Sequence, residues 1–189
     1  MAEYIIMLQI LFLTVNYLNT QDIGKLLRMK NTPRVGSFIE ISLGKNLNAY
    51  ARVIGKNLFS FYKIEHVDGA KSKDEVVEII RNSDPIFSIY IHKNAFGGDN
   101  WRIIGHLPLE QKTLNNMPVF FRQDIVNKDT CWLITVNLGP DYKKPLAKEE
   151  CINMEREASW DNIEHIEERL RDYLANKPNI WVERLRVKL

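Results

Sequence analysis

The sequence predicts an α+β fold: a curved antiparallel sheet or small barrel-like β core, a short mid-chain helix and a C-terminal amphipathic helix. Three observations carry this. Between residues 38 and 64, apolar and polar residues alternate with period two, broken by Gly/Asn turns. A capping box opens a short apolar-periodic segment at Ser72. From Ile163 onward the period changes to that of a helix. Helices that do not alternate with strands exclude a doubly wound parallel sheet.

The elements follow in order. Phe38–Leu43 sets Ile39, Ile41 and Leu43 against Glu40 and Ser42, which is a half-buried strand. Ala49–Ile54 and Leu58–Ile64 continue it as a meander, across turns at Gly44-Lys45-Asn46 and Gly55-Lys56-Asn57. Ser72-Lys73-Asp74-Glu75 caps a helix carrying Val76, Val77, Ile79 and Ile80, which stops before Asp84-Pro85. Strands resume at Ile86–Ile91 and Trp101–Leu107 around a Gly97-Gly98-Asp99-Asn100 turn, then at Val119–Gln123 and Cys131–Val136. Asp161-Asn162-Ile163-Glu164 reads as a second capping box. It opens a stripe of Ile163, Ile166, Leu170, Tyr173 and Leu174, with Glu164, Glu167, Glu168, Arg171 and Asp172 on the opposite face. Glu167 and Arg171 are placed for an i,i+4 pair. Asn176-Lys177-Pro178 ends the helix, and Ile180–Val187 reads as a closing strand.

The 189 residues divide into an N-terminal extension, 1–32, and an α+β domain, 33–189. Ile5–Val15 is an apolar run of eleven, too short for a bilayer span of about 20 residues. Its leading residues, Met1-Ala2-Glu3, lack the basic charge of a signal peptide, and no Ala-x-Ala site follows. The segment reads as an element docked on the domain, or as an extension from an upstream start codon with Met29 opening a complete domain. The expected compartment is the cytoplasm, with export through the apolar segment as the alternative.

Charge is even: residues 1–110 carry 13 Lys/Arg and 11 Asp/Glu, and residues 111–189 carry 13 and 13. No basic stripe marks a nucleic-acid surface, and Lys143-Lys144 reads as a solvated loop. Cys131 and Cys151 have no CxxC spacing, which argues against a zinc ribbon or thioredoxin-like site. Cys131 lies in the apolar run Cys131-Trp132-Leu133-Ile134, where a buried free thiol is expected, with a disulfide to Cys151 as the alternative.

Chemistry has little to stand on. The sequence lacks a Gly-x-Ser-x-Gly elbow, a Walker loop, a Rossmann glycine fingerprint and a His-Glu-x-x-His pair. His66, His92, His106 and His165 lie apart, without metal-ligand spacing. His92 and His106 flank one turn and would begin an acid/base or metal site only if they faced each other. Glu149-Glu150 and Glu155 with Glu157 read as solvated charges, except that Glu155 is placed to pack near Trp160. No catalytic residue, metal or cofactor is assigned. Trp101, Trp132, Trp160 and Trp181 each read first as core residues, and Trp101, which borders the Gly-rich turn, is the candidate among them for partner contact.

The order of several short stretches resembles the immunity protein 26 family of bacterial polymorphic toxin systems. These are Val35-Gly36-Ser37-Phe38, Ala49-Tyr50-Ala51-Arg52-Val53, Trp101-Arg102-Ile103-Ile104-Gly105, Leu107-Pro108 and Phe120-Phe121. Further along come Glu155-Arg156-Glu157-Ala158-Ser159-Trp160, Ile166 to Tyr173, and Asn179-Ile180-Trp181-Val182-Glu183. Ala51 stands where the family tends to have glycine, and residues 1–30 have no counterpart. The resemblance implies a non-catalytic protein that neutralises a cognate toxin by occluding or distorting its active site. The expected partner is that toxin, with neither nucleic acid nor membrane. Candidate contact residues are Trp101, Arg102 and Arg122, with Glu164 and Glu168 on an acidic helix face that would steer a basic toxin. The alternative is a nucleic-acid-binding module on a small curved sheet, and a third option is a hydrolase built around His92 and His106.

Overall fold

The computed structural model describes residues 32–64, 72–96, 99–136 and 144–188. The chain separates into two units, Met1–Thr32 and Pro33–Leu189, and everything below concerns the second. The expected extension, with its apolar run and Met29, lies outside the described residues, as do Gly97 and Gly98 of the turn before Trp101.

The fold is α+β, with two sheets and four helices among the described residues. The strands are β1 Ser37–Ser42, β2 Asn48–Gly55, β3 Leu58–Tyr62, β4 Phe87–Ile91, β5 Trp101–His106, β6 Val119–Gln123, β7 Cys131–Thr135, β8 Lys144–Leu146 and β9 Ser159–Trp160. The helices are α1 Lys73–Asn82, α2 Gln111–Asn115, α3 Ile163–Leu174 and α4 Ile180–Leu185. The larger sheet runs β5-β1-β2-β3-β4-β9 and the smaller β6-β7-β8. All pairings are antiparallel except β4 with β9. The larger sheet stays open, with β5 and β9 as its edges, so the barrel-like option is not realised. Register shifts at Phe38/Ile39 and Val53/Gly55 bulge the ladder, and bulges bend strands.

Both faces of the larger sheet are covered. On one, Ile39, Ile41, Ala51, Phe61, Ile89 and Trp101 pack against Ile166 and Leu170 of α3, with Trp181 and Val182 of α4 alongside. On the other, Phe38, Tyr50 and Tyr62 meet Val76 and Ile80 of α1. Further along that face, Ile54 and Leu58 meet Phe120 and Ile134 of the smaller sheet. This is why β2 and β3 read as nearly continuous apolar runs. Ala51 is fully buried, so the position leaves no room for a large side chain.

The Ser72 capping box forms as expected: the Glu75 N–H donates to Ser72 Oγ, and the Ser72 N–H donates to the Glu75 carboxylate. The second box does not. Asn162, not Asp161, caps α3, by accepting from the Glu164 N–H at 2.8 Å. The expected closing strand is also corrected. Ile180–Leu185 is a helix, opened by Asn179, whose Oδ1 accepts from the N–H groups of Trp181 and Val182.

Gly36 explains one shared stretch. Its φ is +92°, and a Cβ there would lie 2.2 Å from the Leu107 carbonyl oxygen. The Leu107 N–H donates to the Gly36 carbonyl at 3.0 Å, so the Val35–Phe38 and Leu107-Pro108 stretches meet in space.

Candidate interaction surface

Three charged networks organise the molecule. Arg52 is almost wholly buried in mid-strand, a position that costs several kcal/mol unless the charge is paired. Its guanidinium donates to the Glu110 carboxylate at 2.6 Å and to the Pro108 carbonyl at 3.1 Å, and it lies over the Phe38 ring. Arg81 of α1 donates to the other Glu110 oxygen at 2.7 Å. Burial opposes charge on Glu110, yet the hydrogen bonds from Arg52 and Arg81 outweigh it and hold the carboxyl at about 2. Beside Arg52 the polar row continues through Ser60 and Ser88, whose hydroxyls bond each other at 2.7 Å, along a cleft of about 140 Å³.

In the second network, Arg169 grips both oxygens of Glu155, at 2.9 and 2.7 Å, and stacks over the Phe87 ring at 3.8 Å. The same guanidinium lies 5.2 Å from the Trp160 ring. Glu155 therefore approaches Trp160 through Arg169. In the third, Glu167 accepts from Trp101 Nε1 at 3.2 Å and from Arg171 at 2.9 Å. The i,i+4 pair is present, but Glu167 is buried where a solvated face was expected, because Trp101 reaches across from β5 to it.

The predicted contact residues lie on different elements. Trp101 is 7% exposed, and its ring meets Phe61 and Phe96 edge-on. It is a core residue despite its neighbouring turn. Arg102 is exposed on β5 and paired with Glu40. Arg122 is half-exposed on β6, where the Glu157 carboxylate accepts from it at 2.5 Å and raises its pKa. Glu157 is thus paired, not merely solvated. Glu164 is exposed in the first turn of α3. Glu168 accepts from Trp181 Nε1 at 2.7 Å, and the His165 ring stacks on the Trp181 ring with centroids 3.6 Å apart. The structure gathers none of these five into a single cluster. The deeper charged residues Arg52, Glu110 and Arg169 carried no periodic signal. Only an arginine inside the apolar stretch Ala49–Ile54 hinted at a buried pair.

The hydrolase arrangement is overturned. β4 and β5 lie at separated places in the larger sheet, with β1, β2 and β3 between them, so His92 and His106 do not face each other. His106 Nε2 instead bonds the Val35 carbonyl at 3.0 Å. Among the described residues no three His, Cys, Asp or Glu converge as a metal site, and no helix is long and apolar enough to cross a membrane. Cys131 and Cys151 are buried free thiols in one apolar cluster with Phe121. Burial, then the neighbouring Cys131, pushes the Cys151 thiol up to about 11.

No curated protein and no solved structure matches the chain. A family sequence model, that of Immunity protein 26, matches residues 34–132, from the turn before β1 into β7. The matched span holds the Gly36–Leu107 contact, Arg52, β6 and the loop after it, while most of β7 and the C-terminal stretches from Glu155 onward lie beyond it. With more than half its residues so matched, the chain belongs to the immunity protein 26 family.

Proposed function

We propose that this protein neutralises a cognate bacterial toxin by binding it and occluding or distorting its active site. Membership of the immunity protein 26 family carries the reading. The physical organisation supports it. The larger buried charged groups are paired within the domain: Arg52 with Glu110, Arg169 with Glu155, and Glu167 with Trp101. Such networks fix a rigid scaffold, and a rigid scaffold loses less entropy on binding. The action proposed is binding, not catalysis.

A stable interface would bury on the order of 1,600 Å² in total. Arg102, Arg122, Glu164 and Glu168 remain candidate contact residues on separate elements, while Trp101 packs in the core. Co-expression with the toxin encoded by the adjacent reading frame tests the reading. Cells should grow with the full chain present and stop growing without it. Growth arrest in both cases would overturn it. Salt-sensitive retention of nucleic acid by the purified chain, with no toxin bound, would favour the nucleic-acid module instead.

A further inference from the structure

The hairpin joining β6 and β7 ends in a loop tied down by its own polar residues. Asp124 Oδ1 accepts from the N–H groups of Val126 and Asn127, both at 2.8 Å. Asn127 Oδ1 accepts from the Asp129 N–H at 3.2 Å, and the Asp124 N–H donates to the Thr130 carbonyl at 2.9 Å. Gln123 Nε2 donates to the Lys128 carbonyl at 2.7 Å, and Lys148 pairs with Asp129 at 2.6 Å. This frame holds up two adjacent β-branched residues, Ile125 at 88% exposure and Val126 at 93%. Single exposed apolar residues are ordinary, but a pair on a braced tip exposes hydrophobic area that folding does not use.

The surface continues down the hairpin. Arg122 lies opposite the half-buried Trp132 on one face of the ladder. Arg and Trp are the residue types that dominate interface hot spots. Arg122 and its partner Glu157 also line an open groove of about 390 Å³ with Lys56 and Tyr90. Lys56 and Lys128 make no ion pair among the described residues, whereas Arg122 is already neutralised. Lys56 at the groove and Lys128 on the loop thus supply positive charge that no ion pair among the described residues neutralises.

We propose that the Ile125–Val126 tip and the adjoining Arg122 groove form the toxin-docking surface. The tip enters an apolar pocket whose border carries carboxylates for Lys56 and Lys128. This rests on the neutralisation reading and adds its location. A groove lined by polar and charged side chains alongside the hairpin suits a folded protein better than a bilayer.

The test uses the purified full chain and the toxin domain from the adjacent reading frame, with affinity measured by calorimetry. The double variant Ile125→Asp/Val126→Asp should bind roughly 100-fold more weakly or worse, with an unchanged melting temperature because both side chains are exposed. Lys56→Glu should slow association mainly at low salt. Ile180→Asp, at an exposed site on α4, should bind within about threefold of wild type. Tight wild-type binding that the double variant retains would overturn the tip and leave neutralisation standing. Failure of the wild type to bind would overturn both. Tip-dependent binding to phosphatidylglycerol vesicles, or tip-dependent self-association in sedimentation, would assign the tip to lipid or to a second copy and overturn the proposal.

Discussion

Arg52 keeps its charge inside the sheet because Glu110, 58 residues away, reaches it from the segment after β5. Removing one partner of a buried pair leaves an uncompensated ion, so Glu110→Gln should cost about 3 kcal/mol of stability in urea unfolding at pH 7. The pH dependence follows in sign. The Glu110 carboxyl is held at about 2 in the fold against an ordinary 4.5, so its stabilisation is present above pH 4.5 and is lost as pH falls toward 2. The gap between variant and wild type should close over that window, and a gap that persists at pH 2 would contradict the pairing. Cys131 and Cys151 are each 1% exposed, and the raised Cys151 pKa leaves little thiolate. Labelling with a thiol reagent at pH 7.5 should therefore proceed only at the rate of unfolding, whereas rapid labelling of the native chain would contradict the burial. The buried thiol of Cys131 was legible from its apolar neighbours, whereas that of Cys151 was not. The Arg52–Glu110 and Trp101–Glu167 pairs were not, because periodicity reports which face a residue occupies and not which distant residue meets it there. The Trp101 environment shows the same limit: its polar turn is local, while its partners on β3 and α3 are remote.

Elements were more readable than pairings. Strands β1 to β7 lie within a residue or two of the expected bounds, because period two and Gly/Asn turns are written locally. Asn57 adopts φ of +59° and the Gly44-Lys45-Asn46 turn is left-handed throughout, as those turn residues favour. The failures are short. Ile180–Val187 is rich in β-branched and aromatic residues and reads as a strand, yet the Asn179 cap and the packing of Trp181 and Val182 on the sheet make Ile180–Leu185 helical. Asn179 is itself buried and donates to Asp172 of α3 at 2.8 Å. Asn179→Ala should cost about 1–2 kcal/mol in thermal unfolding, more than a surface cap would, and a neutral effect would show that packing alone forms α4. β8 went unpredicted because it is three residues long and contains Pro145, which an edge strand tolerates.

At the scale of the molecule, a short segment joins the two sheets. The Phe121 N–H donates to the Glu155 carbonyl at 3.0 Å and the Glu157 N–H to the Phe121 carbonyl at 2.8 Å, while Ser159-Trp160 pairs with β4. Residues 155–160 thus bond β6 on one side and β4 on the other, and the Arg169–Glu155 pair locks them to α3. Family membership was legible from the order of motifs within residues 34–132, where Gly36 meets Leu107 and Arg52 meets Glu110, while the binding surface was not legible. A docking surface has no internal partners to impose a pattern, and the Ile125–Val126 tip shows itself only as exposure in three dimensions. The most direct measurement is a titration of the toxin's own activity with the purified full chain. The account predicts activity falling linearly to zero at one equivalent. Activity unchanged at saturating excess would contradict it.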